Sequence, residues 1–140
     1  MLISTRGQYA LRVMIDLAQN RGEDPVALRL IAERQQLSMK YTESIVAILV
    51  KAGLVEGTRG KGGGYRLTRK PKEYPIGEIL RLTEGTLSPV SHLEEAEGGE
   101  STGAALSRPL WKQLDSVIEE YLDHVTLRDV LRGRTGGARK

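Results

Sequence analysis

The sequence contains no cysteine. That absence removes disulfides, thiol nucleophiles, cysteine-ligated zinc and the usual thiolate-held iron–sulfur clusters. Phenylalanine is missing too, and aromatic residues make up 4% of the chain, so the core must be mostly aliphatic. No apolar run approaches the roughly 18 residues needed to cross a bilayer. The opening stretch MLISTRGQYALRVMIDLAQN has polar residues where a secretory signal needs an apolar block, so a cytoplasmic protein with no membrane partner is expected. Histidine is scarce. His92 and His124 have no cysteine with which to build a metal cluster or a triad, and the run Glu94, Glu95, Glu97 reads as solvated acid. His92 beside Glu94 or Glu95 is the one conceivable divalent-metal pair, and the solvated reading outweighs it. No metal, no cofactor and no enzymatic activity are expected.

The charge, by contrast, is unevenly placed. Residues 1–72 hold thirteen Lys and Arg against six Asp and Glu, whereas residues 73–140 hold eight against twelve. A basic N-terminal part is the footprint of a polyanion partner. A chain of 140 residues is one domain with an appendage, too short for two independent cores.

Hydrophobic periodicity organises the chain. In STRGQYALRVMIDLAQN, Tyr9, Ala10, Val13, Met14, Leu17 and Ala18 share one helical stripe, with Ser4 or Thr5 as N-cap. VALRLIAERQQL is a shorter helix stopping near Gln36. SMKYTESIVAILVKAGLV forms a third, capped by Ser38, with Tyr41, Ile45, Ile48, Leu49 and Ala52 as the buried stripe and Lys40, Glu43, Ser44, Ala47 and Lys51 opposite. Two short helices separated only by QLS read as a helix-turn-helix. The strand-like pieces LVEGT and YRLTR flank the glycine cluster of GTRGKGGGYR at hairpin distance. A helix then starts at Pro75 and stops at Gly85. A Gly-, Ser- and Glu-rich stretch follows as far as Ser107.

The remaining periodic stretch, SRPLWKQLDSVIEEYLDHV, carries Leu110, Leu114, Val117, Ile118, Tyr121 and Val125 on one seam, widened by Trp111 and Leu122. So broad an apolar helix outside the main core predicts a partner chain. A short helix TLRDVL follows with Thr126 as N-cap, and the tail RGRTGGARK is basic and expected to be disordered. The predicted organisation is a DNA-binding domain over 1–83, a flexible sensor-type loop over 84–107, a dimerisation helix and short terminal helix over 108–132, and a tail over 133–140.

Three helices followed by a glycine-tipped hairpin is the order of a winged helix-turn-helix, whose third helix enters the major groove. The predicted fold is therefore mainly α with a small β-hairpin and a long C-terminal dimerisation helix. On the third helix Lys40 can neutralise phosphate, Ser38 and Ser44 can donate to phosphate or base, and Glu43 can accept from cytosine N4. Arg59 and Lys61 sit at the hairpin tip, where Gly60 and its neighbours allow a sharp turn, and an Arg there suits a narrow minor groove. Nucleotide-loop readings of the same glycines fail. Gly62 follows Lys61 where a P-loop needs Ser or Thr, and G-x-G-x-x-G breaks at Tyr65.

The stretches STRGQYALRVMIDLA, IAERQQLSMKYTESIVAILVKAGLVEGTRGKGGGYRLTRKPKEYPIGEIL, RPLWKQL and TLRDVL together resemble the IscR, NsrR and CymR family of small bacterial transcription regulators. The resemblance runs nearly to Leu131. It implies a homodimer whose long C-terminal helix crosses to the partner, a palindromic site on double-stranded DNA, and most often repression. It also implies that Ser38, Lys40, Tyr41, Glu43 and Ser44 lie on or near the recognition helix, with the Tyr41 hydroxyl near the backbone, and that Arg59 and Gly60 enter the minor groove. The sequence departs from cluster-binding members in the long loop, where His92, Gly99 and Ala105 stand at the three cysteine places and Arg108 at a ligand histidine's. A member without a cluster is implied, sensing through a regulatory protein or a small-molecule effector. The competing reading from another class is a protein-interaction module built on a winged scaffold.

Overall fold

Ser4 begins the first helix: its hydroxyl accepts the Gly7 N–H at 3.0 Å and relieves one of the donors that a helix start leaves unpaired. The computed structural model describes residues 3–90 and 101–136. Within them, α1 (Thr5–Gln19) buries Ala10, Val13, Met14 and Leu17, as its periodicity predicts. Next, α2 (Leu28–Gln35) ends where Gln36 turns left-handed at φ 57°, and Ser38 caps α3 (Met39–Lys51) by accepting the Tyr41 N–H at 3.1 Å.

The buried face of α3 is turned by about one residue from the expected stripe. Thr42, Ile45, Val46 and Leu49 are buried, Tyr41 and Ile48 only partly so, and Ala52 is exposed. Thr42 makes this possible because its hydroxyl donates to the Ser38 carbonyl at 2.8 Å, which removes the penalty of burying it.

The hairpin pairs β1 (Val55–Thr58) with β2 (Gly64–Leu67) antiparallel, Val55 opposite Leu67 and Thr58 opposite Gly64. Val26 adds a short third rung. Its N–H donates to the Tyr65 carbonyl, and the Tyr65 N–H donates back, both at 2.8 Å. Gly64 is required there, since a Cβ at that position would collide with the Val26 carbonyl. The hairpin is thereby fixed to the chain entering α2.

After a 3-10 turn at Pro71–Glu73, α4 (Ile76–Glu84) packs Ile76, Ile79 and Leu80 inward, while Leu82 is only partly covered. Tyr74, fully buried, joins the hairpin base to this helix. Its hydroxyl donates to the Leu54 carbonyl at 2.8 Å and accepts the N–H groups of Thr68 and Arg69 at 3.0 and 2.9 Å. Removing that one oxygen strips the Arg69 N–H of its partner and leaves the Thr68 N–H and the Leu54 carbonyl only the long bond between them, at 3.4 Å. Tyr74→Phe should therefore cost about 1–3 kcal/mol, seen as a lower urea midpoint at unchanged m-value. A midpoint equal to wild type would show that water takes over all three bonds.

The long helix α5 (Thr102–His124) begins six residues before the expected start at 108. Ser101 caps it, accepting the Ala104 N–H at 3.1 Å, and Ala104, Ala105 and Leu106 are strong helix formers. Pro109, which resembles a start signal, lies inside the helix and simply donates nothing to the preceding turn. The C-terminal end of α5 is knitted to the domain. The Ile76 N–H donates to the Val125 carbonyl at 2.9 Å, the Leu127 N–H donates to Tyr74 at 2.9 Å, and Arg81 clasps Asp123 at 2.7 and 2.9 Å. That clasp holds the Asp123 carboxyl below the usual range. A capping box of Thr126 and Asp129 opens α6 (Leu127–Leu131). Of the tail, Thr135 accepts the Tyr121 hydroxyl at 2.7 Å, while residues 137–140 lie outside the described residues.

Candidate nucleic-acid interface

Helix α3 presents Lys40, Glu43, Ser44, Ala47 and Lys51 to solvent, as expected, together with Ser38, Met39 and Val50. Its N-terminus adds the partial positive charge and free N–H groups that favour a phosphate. The two serines are partly committed. Ser38 spends a lone pair on its cap and keeps its proton, whereas the Ser44 hydroxyl donates to the Tyr41 carbonyl at 2.8 Å and must rotate to donate elsewhere.

Tyr41 is half-buried with its ring edge-on to Tyr9, centroids 5.8 Å apart at 88°. Arg12 lies 4.5 Å over the Tyr9 ring and donates to the Gln35 side chain at 3.1 Å and to its carbonyl at 2.7 Å. Beneath, the buried Asp16 carboxylate receives both arms of Arg34, at 2.9 and 2.8 Å, and the Gln35 amide at 3.0 Å. The bonds to Asp16 raise the Arg34 pKa further above its ordinary value. These contacts fix the turn from which α3 departs. Arg12, Asp16, Arg34 and Gln35 escaped the sequence reading because their contacts span 18 to 23 positions and follow no motif.

The wing tip carries Arg59, Gly60 and Lys61, all exposed. Gly60 at φ 95° and Gly62 at φ 80° occupy backbone that other residues avoid, and the Gly63 N–H donates to the Gly60 carbonyl at 2.9 Å to close the turn. Between wing and helix runs an open groove. Glu43, Ala47, Val50 and Lys51 line it from α3, and Thr58, Arg59 and Gly60 from the hairpin. The structure thus brings Glu43, Arg59 and Gly60 to one groove, with Ser38, Lys40, Tyr41 and Ser44 on the helix that forms its wall and Lys61 at the tip.

The eight seam residues of α5 divide into two faces rather than one. Leu110, Trp111, Leu114, Val117 and Tyr121 are exposed, with Leu110 at 60% and Val117 at 51%, and Leu106 extends the stripe at 76%. Ile118 and Leu122 instead pack on the chain's own core, and Val125 is buried within it. A 23-residue helix long enough to present two faces explains why periodicity alone merged them. His92, Glu94, Glu95, Glu97 and Gly99 lie outside the described residues.

Residues 3–133 match the family Rrf2, described as an iron-dependent transcriptional regulator. The chain belongs to the Rrf2 family. Among Rrf2-family relatives it is 42% identical over 130 residues to the HTH-type transcriptional regulator CymR of Bacillus subtilis, covering 93% of this chain and 89% of that one. It is 36% identical to IscR of Aliivibrio salmonicida, over 94% and 77% of the two chains. Its fold matches the solved structure of CymR, the global cysteine regulator of B. subtilis, with TM-score 0.81, 40% identity and coverage of 95% and 98%. The structure of T. potens IscR superposes with TM-score 0.75 at 37% identity, over 100% and 94%.

The protein is accordingly a winged-helix DNA-binding transcription regulator, and its relatives are regulators rather than enzymes. No helix among the described residues is long and apolar enough to cross a membrane. The iron dependence in the family description does not fit this chain's donors. It has no thiolate anywhere, Ala105 stands exposed near the start of α5, and the described residues contain no group of three His, Asp or Glu able to hold a metal.

Proposed function

We propose that the protein is a repressor that binds a palindromic operator as a homodimer, with α3 in the major groove and the wing in the adjoining minor groove. The observation that carries this is the shared groove: Glu43 on α3 and Arg59 on the hairpin line one concavity that opens to solvent. The exposed stripe of α5 supports the second copy, because a run of large apolar side chains on one face marks an interaction surface. A two-fold axis through it would carry two α3 helices to half-sites about one DNA turn apart, roughly 34 Å. In this arrangement Ser38, Lys40, Tyr41 and Ser44 position the helix on phosphates, Glu43 discriminates bases, and Arg59, Gly60 and Lys61 meet the minor groove.

Gel-shift titration of the promoter upstream of its own coding sequence, at several salt concentrations, tests the proposal. Sequence-selective binding is expected, and binding without sequence preference would sink it. Arg59→Ala should lower the slope of log K against log salt by about one unit if the guanidinium meets phosphate. If it reads a base edge or groove shape, discrimination should fall by about 1–3 kcal/mol instead. A variant unchanged in both quantities would remove the wing from the interface. Repression itself is read from a reporter fused to that promoter, whose output should rise when the protein is deleted.

A further inference from the structure

At the far end of the hairpin from its tip, a hollow of about 480 Å³ opens between the turn after α1, the 3-10 turn and α6. Five cations line it: Arg21, Lys70, Lys72, Arg128 and Arg132, over a floor of Pro71 and Leu131. No acidic side chain is part of its wall. All five cations are exposed, and none takes part in an ion pair among the described residues, whereas Arg29, Arg34, Arg69 and Arg81 each have a carboxylate. Glu23 and Asp24, near Arg21 in sequence, are not part of the wall, and the acids adjacent to Lys72 and Arg128 are engaged in capping. The Glu73 carboxylate accepts the Lys70 backbone N–H at 3.1 Å, and Asp129 accepts the Thr126 N–H at 3.0 Å.

Five like charges around one concavity repel each other, and nothing in the fold's own packing requires them there. A ligand carrying several negative charges reverses the sign of that interaction. Arginine forks bind phosphate oxygens in bidentate pairs, and lysines add point charge. The volume falls in the range of small-molecule sites, about 300–1,000 Å³. A duplex is the weaker candidate, because Lys70 and Lys72 follow the end of β2 at Leu67, whereas Arg59 and Lys61 occupy the opposite end of the hairpin. We propose that this hollow binds a small phosphorylated metabolite bearing at least two phosphate charges, its phosphates held by Arg21, Lys70, Lys72, Arg128 and Arg132.

The position gives such a ligand leverage. Helix α6 is joined to the Tyr74 carbonyl through the Leu127 N–H, and Tyr74 holds the hairpin base through Leu54, Thr68 and Arg69. A phosphate chain bridging Arg128 and Arg132 to Lys70 and Lys72 ties the C-terminal helices to the root of the wing.

The experiment is calorimetric titration of the full chain with inorganic triphosphate at fixed ionic strength, paired with thermal melts and with sulfate as the matched control. One saturable site per chain and a raised melting temperature are expected. The double variant Lys72→Gln/Arg128→Gln should bind triphosphate at least about tenfold more weakly, since each lost charge-assisted bond is worth about a factor of ten. Without ligand that variant should melt no lower than wild type, because it relieves repulsion, and it should keep its affinity for operator DNA. An Arg59→Ala/Lys61→Ala variant should bind triphosphate as wild type does. Absent or non-saturable binding, equal displacement by sulfate, or undiminished binding in the double variant would overturn the proposal. So would a double variant that melts lower without ligand, or one that loses DNA affinity, which would assign these cations to the duplex backbone.

Discussion

Glutamate at both Leu110 and Val117 is expected to leave a folded monomer whose operator affinity has fallen by about 10²- to 10⁴-fold, the factor lost when two linked binding modules become independent. The positions sit seven residues apart on the outward face of α5, 60% and 51% exposed, so the carboxylates can reach water in the isolated subunit. Folding should therefore survive, with an unchanged far-ultraviolet spectrum and melting profile at low concentration. In an isologous dimer the same substitutions bring four carboxylates to one interface, and burying even one unpaired charge costs several kcal/mol. Sedimentation should find half the wild-type mass, and gel shifts should show weak binding of single half-sites. A variant that stays dimeric would place the two-fold axis elsewhere. One that is monomeric yet binds the intact operator like wild type would remove dimerisation from the mechanism.

The contrast between α5 and the rest of the chain shows what kinds of structure a sequence displays. Caps are local, so Ser4, Ser38 and Thr126 announce their helices, and the glycine cluster announces a hairpin because no other residue tolerates its backbone. Helix faces are less secure. Thr42 enters the core of α3 only because the Ser38 carbonyl takes its proton, a contact that a hydrophobicity pattern treats as a polar interruption. The start of α5 is obscured for the opposite reason. Pro109 carries a strong local signal, and the favourable segment before it overrides that signal. Contacts made across long separations leave no pattern at all, which is why the Val26 rung and the Tyr74 hydroxyl were not foreseen although both hold the wing. Of the proposed interface, the exposure of Ser38, Lys40, Glu43, Ser44, Arg59 and Lys61 was legible in the sequence, whereas the groove uniting Glu43 with Arg59 depends on how the hairpin leans.

Arg34→Met should be the most destabilising single change among those considered, at about 3 kcal/mol, the low end of what breaking a buried ion pair costs. The reason lies in the residue left behind. Asp16 is 1% exposed, and three of its hydrogen bonds come from Arg34 and Gln35. Methionine preserves the apolar stem but strands the carboxylate with the Gln35 amide alone. The low end applies because the Arg34 head is itself about one-third exposed, so water can follow into the gap. Against a total stability of about 5–15 kcal/mol, typical of a domain, such a loss is large. Urea unfolding at neutral pH should show it as a lowered midpoint. Asp16→Asn in the Arg34→Met background should recover part of the loss, giving a coupling energy in the double-mutant cycle. A loss under about 1 kcal/mol would mean that Asp16 finds another donor. The functional consequence follows from position. Arg34 lies in the last turn of α2, four residues before the Ser38 cap, so releasing Asp16 frees the turn that aims α3. Operator binding should then weaken even at temperatures where the variant remains folded, because α3, the proposed recognition helix, must be ordered at the cost of binding energy that wild type keeps.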